Sequence, residues 1–130
     1  MSRTVDAPTD RGESTTQLVI LVPVVMLLLL LAVQVTVYFH AAHVAAAGAG
    51  EGASVGSTVQ GTPAAAADSA RRLVDELGGE LASSPEAFVD ASVVSVTVEV
   101  RVPRIVPFFP TSVGRTAREP KERFTTEAER

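Results

Sequence analysis

Residues 18–39 read LVILVPVVMLLLLLAVQVTVYF without a formal charge, and no other feature limits the fold of the chain as severely. As an α-helix rising about 1.5 Å per residue, the run reaches roughly 33 Å, enough to cross the hydrocarbon core of a bilayer. Burial inside a soluble protein would instead require apolar cover on every side of the helix. A chain of 130 residues cannot supply that cover. A membrane span is therefore predicted, with its core at 18–39. Pro23 falls near the start of the run, where a missing N–H matters least. Tyr38 and Phe39 fall where an interfacial aromatic belt would lie. A cleavable signal peptide is the competing reading, with Ala45, Ala46 and Ala47 as small residues for a cut. Its apolar core would exceed the usual length of about 7–15 residues, and its leader would be mixed in sign.

Charge is partitioned as sharply as hydropathy. Residues 14–50 carry no Asp, Glu, Lys or Arg, and every Lys or Arg except Arg3 and Arg11 lies beyond Ala70. Basic residues thus flank only the N-terminal side of the span, which predicts a cytoplasmic N-terminus and an extracytoplasmic C-terminal part. That remainder is about 70 residues, a size at which one core gives only a few kcal/mol of stability. The net charge of −4 and the lack of a basic stripe argue against nucleic acid as a partner. With no cysteine, disulfides, thiolate nucleophiles and Cys-based zinc sites are excluded.

Ahead of the span stand Arg11-Gly12-Glu13-Ser14-Thr15-Thr16-Gln17-Leu18, followed by an apolar run with an early proline at position 23. This arrangement resembles the TadE-like pseudopilins, or minor pilins, of tight-adherence (Tad/Flp) pilus systems. Their type IV pilin-like leaders have a short charged stretch, a glycine, four residues, usually a glutamate, and then a long apolar helix. The resemblance implies that a prepilin peptidase is a partner and cuts between Gly12 and Glu13. It also implies association with other pilus subunits. Gln17 stands where the family usually has the glutamate; an amide offers a neighbouring amino terminus a hydrogen bond without the charge. Without the resemblance, the same residues read as a juxtamembrane stretch anchored by Arg11.

Residues 40–61, HAAHVAAAGAGEGASVGSTVQG, are open to two readings. As a helix continuing out of the membrane, they place Ala41, Ala45, Ala49 and Ala53 in one row and Gly48, Gly52 and Gly56 in another, ridges that let backbones approach closely. Each interior glycine costs such a helix about 1 kcal/mol relative to alanine, so it needs packing partners. As a Gly-rich segment, they read equally as a flexible linker. His40 and His43 share a helix face, but no third ligand lies within the next turn, so no metal site is expected.

Beyond this stretch, Thr62-Pro63 is an N-cap followed by proline at the first helical position. Helical periodicity runs over 64–81 and puts Leu73, Leu77 and Leu81 on one face with Ala70 and Val74; Gly78 and Gly79 bend or end it. Residues 94–102 alternate valine with polar residues, the pattern of a half-buried strand. A partner strand is expected from 111–117, with 123–126 as a further candidate. The valine face needs cover, for which the leucine face of the helix is the candidate. Between the strands, PRIVPFFP (103–110) is a proline-stiffened loop whose Ile105, Val106, Phe108 and Phe109 either cap the core or form a patch for a partner. The tail from 118 onward, REPKERFTTEAER, reads as frayed apart from Phe124.

The predicted fold is therefore α+β and membrane-anchored: leader 1–12, transmembrane helix with its small-residue extension over 13–61, and a small helix-on-antiparallel-sheet domain over 62–130. No catalytic constellation is assembled: the two histidines lie at the membrane edge, and no phosphate-binding glycine loop is present. Neither an enzyme nor a cofactor is expected. The expected function is structural, that of a minor pilin or pseudopilin acting in pilus assembly or a related secretion apparatus. Gly12 and Glu13 would be the cleavage residues, and Gln17, Gly48, Gly52 and Gly56 would serve helix packing in assembly. Phe108 and Phe109 would form a partner patch. The alternatives are an uncleaved single-pass accessory protein that binds partners through its outer domain, and an exported soluble protein cut near Ala47.

Overall fold

The computed structural model describes the backbone of residues 10–123 and side chains from residue 15 onward. A 48-residue helix, α1 (Asp10–Ser57), forms the axis of the molecule and passes unbroken through Pro23. It is followed by α2 (Pro63–Glu76) and the strands β1 (Glu86–Val89), β2 (Val93–Arg101) and β3 (Ser112–Pro120). The sheet is antiparallel in the order β1-β2-β3. Both helices pack on one of its faces. The other carries Ser95, Thr97, Glu99 and Thr116, with Thr97 and Thr116 hydrogen-bonded across the strands at 2.8 Å, as suits a sheet with one face wet.

The small-residue stretch is helix, and it packs. Gly48, Gly52 and Gly56 lie directly under Val98, Val96 and Val94; a Cβ on each glycine would come within 3.7, 3.0 and 2.8 Å of the corresponding valine methyl. Four residues of helix advance about 6 Å and two residues of strand about 6.6 Å. The period-four glycine row and the period-two valine row are therefore commensurate, and helix and strand run antiparallel in step. Ala41, Ala42, Ala45, Ala49 and Ala53 complete the buried face of α1. Its C-terminal half belongs to the folded domain, so the compact unit begins well before residue 62. The valine face is thus covered chiefly by α1, not by the leucines of the second helix.

Helix α2 begins as predicted: the Thr62 hydroxyl accepts from the Ala65 amide at 3.2 Å, and Pro63 is the first helical residue. It ends at Glu76, five residues short of the predicted 81. Gly78 adopts φ +74, while the amides of Gly78 and Gly79 return to the carbonyls of Asp75 and Val74, the pattern of a Schellman motif. Only Ala66, Ser69, Ala70 and Val74 of α2 are buried. The predicted leucine face is displaced: Leu77 is exposed and Leu81 bridges to Val100. Size explains this, because a helix seated on Gly48 and Gly52 has room only for small or β-branched side chains there, as the contacts with Ala66, Ala70 and Val74 illustrate.

Strand β1 is an element that periodicity did not reveal. It joins β2 through a tight hairpin in which the Asp90 amide donates to the Val93 carbonyl at 2.9 Å. The expected partner of the valine strand is present as β3, extending to Pro120. The start of the tail is held in place: the Lys121 ammonium donates to the carbonyls of Gly56 (2.9 Å) and Gly61 (3.0 Å), and the Glu122 amide donates to that of Ser57. A cation at a helix C-terminus neutralises its unsatisfied carbonyls. Arg123 lies past the end of β3, and the remainder of the candidate strand at 123–126, with Phe124, lies outside the described residues.

Candidate functional site

The functional surfaces are distributed along α1. From 15 to 33 every residue is exposed, including Leu18, Ile20, Leu21 and the run from Leu27 to Leu31. This bare stretch is about 28 Å long, close to the thickness of a hydrocarbon core. The helix containing it, over Thr15–Ser57, is long and apolar enough to cross a membrane. Gln17 sits exposed near its N-terminal end. Gly12 and Glu13 belong to the first turns of α1; their side chains lie outside those described.

The bare stretch ends at Gln34, which is completely buried. Its Oε1 accepts from the amides of Ile105 (2.7 Å) and Val106 (3.0 Å), and its Nε2 donates to the Pro103 carbonyl at 3.1 Å. One side-chain amide thus satisfies three backbone groups of the 103–110 loop. Residues 34–39 of the predicted span run alongside the folded domain on one face, with Val35, Thr36 and Phe39 exposed on the other. Val37 and Tyr38 pack on the core, leaving Phe39 as the exposed member of an edge-to-face pair with Tyr38. The role of Gln34 was missed in the sequence, although a single amide within an apolar run is a signal that a polar partner exists.

The loop divides between the two readings. Val106 and Phe109 are half-buried and Ile105 exposed, while Phe108 is 99% exposed and takes a left-handed φ of +74. Of the two aromatic residues predicted to form a patch, Phe108 is therefore the free one. Beside the loop, an open groove of about 880 Å³ runs between α1 and β2, lined by His40, Ala41, Val44, Glu80, Glu99, Arg101 and Arg104 among others. Its charged groups are already engaged in part: Arg101 pairs with Glu80 at 3.2 Å, and Glu99 accepts from Ser112 and Ser83.

The residues predicted to act in assembly fall into separate groups. Gln17 lies on the bare half of α1. Gly48, Gly52 and Gly56 form one seat, occupied by α2 and the sheet of the same chain, with Ala66 and Ala70 against Gly52 and Val74 against Gly48. Their close packing is within the chain, so another subunit cannot approach them without displacing the domain. Among the described residues, the longest continuous apolar surface free for other molecules is the bare stretch, with Ile105 and Phe108 of the loop beyond its end.

Residues 12–54 match the family described as TadE-like protein. The match takes in the end of the leader, the bare stretch, Gln34 and most of the small-residue seat, and stops short of α2 and the sheet. Neither a curated protein nor a solved structure matches the chain.

Proposed function

We propose, taking residues 12–54 as a TadE-like segment, that the chain is a minor pilin or pseudopilin of a Tad-type pilus or related secretion apparatus. Its N-terminus is cytoplasmic and its domain extracytoplasmic. Its role is structural rather than enzymatic. The observation that carries this reading is the two-part character of α1, apolar and bare over 15–33 and embedded in its own domain from Gln34 to Ser57. The bare half satisfies itself in lipid before assembly and against apolar helices of other subunits afterwards. The embedded half ties the anchor to the domain without a flexible link, so a displacement of the anchor is transmitted directly. In this reading a prepilin peptidase severs Gly12 from Glu13, and Gln17 offers the amino terminus of a neighbouring subunit a hydrogen bond.

Intact mass of the membrane-extracted protein tests this reading. The expected result is loss of residues 1–12 from the wild type and their retention in Gly12→Ala, with both proteins in the membrane fraction. A wild type that keeps its leader overturns the pseudopilin reading and favours the uncleaved accessory protein, for which the uncharged Gln17 is the supporting observation. Cleavage near Ala47, as for an exported soluble protein, is disfavoured on physical grounds. It would remove Ala41, Ala42, Val44 and Ala45 from the core, together with Gln34 and its bonds to the loop.

A further inference from the structure

The loop at 103–110 lies at the level of α1 where the bare stretch ends, because three of its backbone groups are bonded to Gln34. Its chemistry suits a boundary between hydrocarbon and water. Prolines at 103, 107 and 110 have no N–H to leave unsatisfied, and the amides of Ile105 and Val106 are taken up by Gln34. Of the loop's eight residues, five thus present no N–H that needs water, which lowers the cost of placing this backbone at the boundary, where its carbonyls stay within reach of water. Ile105 is 44% and Phe108 99% exposed. The left-handed backbone at Phe108 carries a cost of about 1 kcal/mol for a residue with a Cβ. The exposed Arg104 places a cation with a long apolar stem beside these side chains, as favoured near lipid phosphates. Phe39, also exposed, stands little more than one turn beyond Gln34.

We propose that this loop is a second membrane contact, seated in the outer interface of the bilayer with Phe108 as its inserted side chain. The inference rests on the reading of α1 as a membrane span, since it is the bare stretch that sets the bilayer's level against Gln34. The anchor thus holds the domain at a fixed height, and the loop fixes its rotation about the helix axis, because only one side of the domain carries it.

The chain contains no tryptophan, so a single introduced indole reports its own surroundings. Full-length Phe108→Trp, Leu27→Trp and Phe88→Trp are reconstituted separately into phosphatidylcholine vesicles containing lipids brominated on the upper acyl chain. Leu27 lies in the bare stretch. Phe88 is exposed on β1, which pairs with the part of β2 that lies over Gly56, roughly 33 Å along α1 from Gln34. The expected result is blue-shifted emission and about twofold or greater quenching for Phe108→Trp, as for a ring at the membrane interface. Phe88→Trp remains red-shifted and unquenched. Quenching of Leu27→Trp without quenching of Phe108→Trp overturns the loop contact and leaves the span standing. Blue-shifted but unquenched emission from Phe108→Trp means cover by protein, such as a second copy, and likewise overturns it. Absence of quenching in Leu27→Trp as well overturns the span and the loop contact together.

Discussion

Gln34 accepts two backbone amides on one oxygen and donates to a carbonyl of the same loop, so its substitution separates loss of contact from loss of fold. Gln34→Leu preserves the apolar stem but leaves two amides and a carbonyl without partners, at a cost of about 1–3 kcal/mol for each group that remains buried. Hydrogen exchange at Ile105 and Val106 is expected to accelerate by roughly tenfold or more, tenfold corresponding to about 1.4 kcal/mol. Exchange within β2 should change far less. Gln34→Glu retains an acceptor for both amides but, when ionised, buries a charge and sets a second oxygen against the Pro103 carbonyl, so its exchange should differ from that of the wild type and approach it as the acid is protonated and donates there. Equal rates in all three proteins would show that the amide does not hold the loop. Lys121 is the corresponding residue at the far end of α1, and neither was legible as a contact. Hydrogen bonds across separations of 60 to 72 residues leave no periodic trace in a sequence.

Two glycines of α1, one step from equivalent in sequence, are predicted to respond with opposite sign. At Gly52 an added Cβ would lie 2.8 Å from the Ala66 carbonyl oxygen and 3.1 Å from the Ala70 Cβ, whereas at Gly50 it meets nothing within 4 Å. Gly50→Ala should stabilise the domain by up to about 1 kcal/mol through helix propensity alone. Gly52→Ala gains the same propensity but forces α2 away from α1, for a net destabilisation of up to about 2 kcal/mol after an overpacking cost of about 1–3. Denaturant unfolding of the full chain in detergent, followed by circular dichroism, checks both signs. The contrast also marks what periodicity could reveal. The alternating valines identified β2, and Thr62-Pro63 the start of α2, because each pattern is local and physically required. The four-residue β1 was too short to display a period, and Leu73, Leu77 and Leu81 misled because hydrophobicity announces burial without announcing available volume. The spacing of Gly48, Gly52 and Gly56 was readable as a packing row; that its occupant is the same chain followed only from the way β2 returns over α1.

At the scale of the whole molecule, Arg3 and Arg11 precede the bare stretch and no Lys or Arg follows it before Arg71. A reporter active only outside the cytoplasm, fused after Arg130, should therefore be active in cells; a reporter active only from the cytoplasmic side would reverse the orientation. The commensurate rows have a further consequence once the molecule is regarded as a ratchet. Sliding the sheet by one notch, about 6 Å along the helix, would set Gly52 under Val98 and Gly56 under Val96, while Val94 would pass the end of α1 at Ser57. Two of the three glycine–valine matches are thus degenerate between neighbouring notches. The degeneracy is broken by contacts that do not repeat: the three bonds of Gln34 at one end, and the two of Lys121 with that of the Glu122 amide at the other. At about 1 kcal/mol each, these bonds favour one notch by several kcal/mol. The repeating interface supplies cohesion, and its two pinned ends decide how far the domain stands from the anchor.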